Sequence, residues 1–240
     1  MSAHLLRQCA LLLALCATTV ASAAAAPVDA RHYDAFWLWA GVRPQPVLAG
    51  ARRVYLLQAE VPAASDAPAR LVAQRAALPR LRHCQVWMVL RVERLDWTPA
   101  LFDAVLLQLR RWRAAGNAVV GLQIDFDAGT RQLERYVAFL RTLRARLPAD
   151  YQLGITGLLD WSVNGRAQTL DALGSVVDEV VLQIYQGRAV IADYPVYVAR
   201  LGALRVPFRI GLLQDGEWQA PPGLLANPAF RGYVVFLRNR

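Results

Sequence analysis

The residues of this chain best placed to do chemistry are Asp125 and Asp127, one residue apart at the end of the run Val119-Val-Gly-Leu-Gln-Ile-Asp-Phe-Asp127. The run is apolar enough to be a buried strand, and side chains alternate across a strand. Gly121, Gln123, Asp125 and Asp127 therefore share one face, while Leu122, Ile124 and Phe126 share the other. Two ionised carboxylates on one face repel, which should raise the pKa of one of them and favour a protonated acid near neutral pH. Such a group suits general acid catalysis. Gly129 and Thr130 then break the strand, and Leu133, Tyr136, Val137, Leu140, Leu143 and Leu147 recur at helical spacing. A strand, an acidic tip and a following helix form the unit from which parallel α/β enzymes build active sites.

The rest of the composition narrows the chemistry further. The 27 basic residues are all arginine, and no lysine occurs anywhere. Schiff-base aldolases, pyridoxal phosphate enzymes and P-loop proteins are thereby excluded. Beyond residue 23 the histidines are His32 and His83, neither at the downstream end of a predicted strand, which argues against histidine-ligated zinc. Glu60, Glu93 and Asp125 offer oxygen ligands, but no loop has the spacing of a calcium or magnesium site, so neither metal nor cofactor is expected. The net charge of +9 comes from arginines scattered over every helical segment without interleaved aromatics, which describes a solvated face better than a nucleic-acid surface.

These carboxylates have to be positioned by a larger frame. Eight short apolar strands are predicted, at Phe36 to Ala40, Arg53 to Val61, Gln85 to Glu93, Val119 to Asp127, Gln152 to Trp161, Glu179 to Tyr185, Arg209 to Gln214 and Tyr233 to Leu237. Helical patterns fall between several of them, at Ala67 to Leu81, Pro99 to Ala115, Thr130 to Leu147, Arg166 to Val176 and Tyr194 to Leu204. Alternation of this kind predicts an α/β fold, a small and irregular (β/α)8 TIM-type barrel with some helices missing or degenerate. The connection Gly41 to Ala51 holds Pro44 and Pro46, and Pro221 to Phe230 is short and broken by proline. An open doubly wound sheet is the alternative. In a barrel the strand C-termini carry the active rim, which would gather Trp39, Gln58, Glu60, Arg91, Glu93, Asp125, Asp127, Asp160, Trp161, Gln183, Tyr185, Gln214 and Asp215.

Residues 1–23 read as a cleaved signal peptide, with Arg7 before the apolar run Ala10 to Val20 and small residues at Ala21-Ser-Ala23. Residues 24–240 would then form one domain, periplasmic or secreted from a bacterium, with no membrane span once the signal is removed. Cys9 and Cys16 fall in the signal, so the mature domain keeps Cys84 as a buried, unreactive thiol and has no disulfide of its own.

The segment Gly121-Leu-Gln-Ile-Asp-Phe-Asp127 resembles the fourth-strand signature of chitinase-type glycoside hydrolases, in which Asp, Asp and Glu alternate along one face. Gln123 stands for the first Asp, Asp125 for the second and Asp127 for the catalytic Glu. Gln183-Ile-Tyr185-Gln186 resembles the sixth-strand Met-x-Tyr-Asp motif, and Gly232-Tyr-Val-Val-Phe236 the last strand, with Phe236 in place of a substrate-floor Trp. The whole pattern, with Leu158-Leu-Asp-Trp161, is more closely similar to an uncharacterised family of secreted bacterial proteins with a glycosidase-like barrel.

The resemblance implies a glycoside hydrolase acting on an N-acetylated polysaccharide or oligosaccharide. Asp127 would be the general acid, Asp125 would orient the acetamido group, and Tyr185 would support it. Trp39, Glu60, Arg91, Gln123, Asp160, Trp161, Gln183 and Asp215 would contact substrate. Asp127 could instead work with Asp160 or Asp215 across the rim as a two-carboxylate pair. The rival readings are a non-catalytic carbohydrate-binding barrel and a cell-envelope scaffold in which Arg91 and Asp125 form a sealed ion pair.

Overall fold

The computed structural model describes residues 25–63, 67–74, 79–201 and 206–239, so the expected signal peptide lies outside the described residues. Eight parallel strands form its centre: β1 (Ala35–Leu38), β2 (Arg53–Val61), β3 (Gln85–Val92), β4 (Ala118–Asp125), β5 (Gln152–Leu158), β6 (Glu179–Gln183), β7 (Phe208–Leu213) and β8 (Phe230–Phe236). They pair in chain order, and Phe36 and Trp37 of β1 pair in turn with Val235 and Phe236 of β8. The sheet is therefore a closed barrel, and the open doubly wound alternative is ruled out.

The helices are unevenly supplied, as the proline-broken segments predict. Helix α1 (Pro99–Ala114) follows β3, α2 (Leu133–Arg146) follows β4, α3 (Trp161–Asn164) and α4 (Ala167–Gly174) follow β5, and α5 (Tyr194–Val198) follows β6. Single 3-10 turns at Pro46–Gly50 and Leu224–Ala226 stand where the β1–β2 and β7–β8 helices would be. Helix α1 begins where Thr98 caps it, its hydroxyl accepting from the amide of Leu101 with Pro99 at the first helical position. It buries Leu101, Phe102, Val105, Leu109 and Trp112, which fall on one stripe at helical spacing.

The helix expected over Ala67 to Leu81 is not formed by the described residues there. Val72–Ala73 is extended and pairs antiparallel with Ala59 and Glu60 of β2. The cause is length: β1 reaches only as far as Leu56 along β2, leaving the last residues of β2 with an open edge. Backbone donors and acceptors on that edge need partners, and the added strand supplies them, with the amide of Gln74 also donating to the carbonyl of Gln58. The helix expected to run to Leu204 ends at Val198, and residues 202–204 lie outside the described residues.

Two apolar cores result. The outer one lies between strands and helices and holds Leu122, Ile124, Trp161 and the buried faces of α1 and α2. The inner one fills the barrel with Trp37, Tyr55, Leu57, Trp87, Val89, Val181, Tyr185, Leu213 and Val234. Trp87 stacks on Tyr55 with ring centroids 5.6 Å apart and claims space that the facing strands concede as glycine. A Cβ at Gly121 would lie 2.2 Å from the carbonyl oxygen of Gln152 and 3.0 Å from the Trp87 ring, and one at Gly154 would lie 2.9 Å from that ring. At the strand N-termini a buried carboxylate closes the barrel. Glu179 accepts hydrogen bonds from Tyr55, from Arg53 at 3.1 Å and from Arg209 at 2.8 Å. The inner core and this ionic plug fill the lower barrel, and a cavity opens at the strand C-termini.

Candidate functional site

A cavity of about 1040 Å³ occupies that open rim. Its size is at the upper end for a small-ligand site, large enough for more than one sugar ring. Asp125, Asp127 and Tyr185 line it, as do Trp39, Arg91, Asp160 and Gln183. Four other expected contacts fall elsewhere. Gln123 is buried one turn of the pleat below the rim, and Glu60 sits on β2 in register with Arg91 but does not line the cavity. Trp161 is fully buried in the outer core, where its indole nitrogen donates to the carbonyl of Ala128 at 2.8 Å, so it cannot stack on a ligand. Asp215 turns the chain after β7 in the left-handed region, φ 61°, outside the cavity wall.

The acidic wall comes from β3, β4 and β5. Strand β4 ends at Asp125, whose side chain is 1 % exposed, and Asp127 lies just past the strand at 51 %. Arg91, at the matching register of β3, bridges the two, donating to Asp125 at 3.3 Å and to Asp127 at 2.7 Å. The hydroxyl of Thr156 on β5 donates to the other Asp125 oxygen at 2.7 Å. Burial pushes the Asp125 carboxyl up to about 6; the charge of Arg91 and the Thr156 hydrogen bond resist, and the charge of Asp127 adds a smaller push. Desolvation, rather than repulsion between the two carboxylates, is the main cause of the Asp125 shift. Asp160, at the start of α3, is also raised by burial, although the backbone amides of Asp160 and Trp161 oppose it.

The facing wall is aromatic and comes from β8, β1 and the segment after β6. Trp37 meets Phe236 edge-on with centroids 5.2 Å apart, Trp39 meets Trp37 at 5.7 Å, and Tyr185 leans on Phe236 at 5.4 Å. Burial raises the Tyr185 hydroxyl well above the usual phenol range, with the charge of Asp125 acting in the same direction, so it stays a neutral donor. Tyr185–Gln186 and Ala189–Val190 form a two-stranded hairpin turned by Gly187 at φ 59°, which places Arg188 on the cavity rim. The C-terminal segment closes this side. Gln45 and Gln214 exchange amide hydrogen bonds at 2.8 and 3.1 Å, Gln45 also donates to the carbonyl of Arg238, and Asn239 accepts from the Arg43 amide.

Sequence reading had not singled out Trp37, Thr156, Arg188, Tyr197 or Arg238. Trp37 and Thr156 carry a usable signal: Trp37 shares the inward parity of Trp39, and Thr156 is two residues on from the inward Gly154. Arg188, Tyr197 and Arg238 lie on connections, where strand parity says nothing. Among the described residues no three His, Cys, Asp or Glu side chains group as a metal site, and no helix is long and apolar enough to cross a membrane.

The model of a family described as Domain of unknown function (DUF3142) matches residues 84–193, from the start of β3 to the turn before α5. No curated protein matches in sequence. Among solved structures, the chain is similar to the xylanase and alpha-amylase inhibitor protein XAIP-II from Scadoxus multiflorus, with TM-score 0.52 and 12% identity over 85% of this chain and 92% of that one. It is equally similar to XAIP-I, solved in complex with trehalose, with TM-score 0.52 and 12% identity over 85% and 93% of the two chains. The spore cortex-lytic enzyme SleL of Bacillus cereus matches with TM-score 0.45 and 16% identity over 75% of this chain, which spans about half, 49%, of that enzyme's length. The likeness to the two inhibitor proteins is one of fold, a closed α/β barrel.

Proposed function

We propose that the rim cavity binds a saccharide chain. The observation that carries this reading is the pairing, in one open cavity, of an aromatic wall of Trp37, Trp39, Tyr185 and Phe236 with a polar wall of Arg91, Asp127 and Asp160. A pyranose presents apolar C–H faces and a hydroxyl edge, so it needs a ring surface on one side and directional polar groups on the other. The trehalose complex described above concerns a protein with a similar fold; the case for this chain rests on its own cavity.

Binding without hydrolysis is the form the acidic wall favours. A general acid must carry a proton, and protonating Asp127 surrenders its 2.7 Å ion pair with Arg91. Asp127 is also one methylene shorter than the Glu it replaces in the resembled signature, a change on the scale of one C–C bond, about 1.5 Å. Misplacement of about 1 Å costs on the order of a hundredfold in rate.

A second reading keeps hydrolysis, with Asp127 as acid and Asp125 and Tyr185 assisting at an N-acetylated sugar. It is favoured by the presence of all three in the lining of one cavity and by the Asp125 carboxyl lying at about 6, where it exchanges protons near neutral pH.

One experiment separates the readings: binding and sugar release measured together on a panel of N-acetylated and plain polysaccharides, with wild type beside Asp127→Asn. Binding without release by either protein supports the binding barrel. Release that disappears in the variant while binding persists establishes the hydrolase. Neither binding nor release across the panel overturns both and favours the envelope scaffold.

A further inference from the structure

The charges around the cavity are not evenly mixed. Its carboxylates, Asp125, Asp127 and Asp160, come from β4 and from the segment after β5, and Arg91 from β3 is committed to the first two of them. The other two arginines of the lining come from different elements, Arg188 on the hairpin after β6 and Arg238 just past β8. Arg188 is exposed and has no hydrogen bond or ion pair among the described residues. The Arg238 guanidinium is loosely ion-paired with Asp215 at 3.9 Å while the residue lines the cavity. Its backbone is fixed, because the Arg238 amide donates to Gln214 and its carbonyl accepts from Gln45. An exposed guanidinium and a second one on an anchored backbone thus line the cavity beside its aromatic wall.

We infer that this side of the cleft recognises an anionic substituent on the bound saccharide, a carboxylate or sulfate carried by the sugar that lies against Trp39 and Phe236. Two guanidinium forks suit planar or tetrahedral oxyanions, and neither of these two pairs with the cavity carboxylates Asp125 and Asp127, which Arg91 holds. The inference rests on the saccharide reading and adds the chemical class of the sugar. A neutral polymer would leave both arginines without a ligand partner.

The test is calorimetric titration of the full-length protein with three oligosaccharides of equal length: an oligogalacturonate, a sulfated galactan and the neutral galactan. Each is run at low and high salt against wild type, Arg188→Gln/Arg238→Gln, and Arg52→Gln/Arg80→Gln. The last variant removes the same net charge from the segments ahead of β2 and β3, at the opposite end of the barrel. Wild type should bind one or both anionic oligomers at least tenfold more tightly than the neutral one, with the advantage falling as salt rises, since each charge-assisted hydrogen bond contributes roughly tenfold. The cleft variant should lose that advantage while its affinity for the neutral oligomer holds, and the distal variant should keep it. The relative affinities for carboxylate and sulfate identify the anion. Equal affinity for neutral and anionic oligomers in wild type overturns the inference but leaves saccharide binding standing, as does an equal loss in the distal variant. Binding of none of the three overturns both.

Discussion

Asp125 makes a quantitative prediction about pH. Its folded-state carboxyl sits at about 6 against an ordinary value of 3.8, chiefly because burial withholds water from the charged form. Between these two values the folded state binds more protons than the unfolded chain, so stability falls as pH rises through the window from about 4 to about 6. The stabilising share is present in full below the unfolded value and is lost above the folded one. A gap of about two units corresponds to roughly 3 kcal/mol, or about 6–12 °C in Tm for a domain of this size. Asp125→Asn keeps the shape and an acceptor for Thr156 while removing the titration. Urea unfolding of both proteins at half-unit steps from pH 4 to pH 8 isolates the term, since all other groups cancel in the difference. Wild-type stability minus that of the variant should decrease by roughly 2.5 kcal/mol from pH 4 to pH 7 and then level off. A difference that is flat with pH, or that grows as pH rises, would refute the reasoning, because it would mean that Arg91 and Thr156 outweigh desolvation.

Three further outcomes are expected. Gly121→Ala should lower stability by more than about 2 kcal/mol in denaturant titration, because its Cβ would overlap the fixed backbone carbonyl of Gln152 rather than a movable side chain. Glu179→Gln should cost about 3–5 kcal/mol and sharply lower the urea midpoint, since it leaves the Arg53 and Arg209 charges facing each other in the barrel floor. Arg91→Met should raise the Asp125 carboxyl above its present value, followed by carboxyl NMR, because the opposing charge is removed and burial is not.

The barrel was legible because strand parity and helix spacing are local signals written by burial. Strand β2 matches its expected bounds of Arg53 to Val61, and Gly121, Gln123 and Asp125 share the inward face while Leu122 and Ile124 pack outward. What was misread depends on partners distant in sequence. Ala67 to Leu81 has helical periodicity, yet the open edge of β2 draws Val72–Ala73 into a strand. Both Gln58 and Glu60 seemed bound for the rim, but the register slips between Leu57 and Ala59, turning Gln58 outward to accept from Trp112. Asp125 and Asp127 stand as neighbours on the rim, one buried and the other half exposed. Which one is desolvated depends on where β4 stops, and it stops at Asp125.

Trp39→Ala tests whether the rim cavity holds a saccharide against its aromatic wall. Titrating wild type and variant calorimetrically with the polysaccharide panel, alongside a thermal melt of each, separates recognition from folding. The account predicts measurable wild-type binding that weakens at least tenfold in the variant, as expected for loss of one stacking ring, with little change in Tm because Trp39 is only partly buried at the cavity mouth. Wild type that binds no member of the panel, or a variant that binds as tightly as wild type, would contradict it.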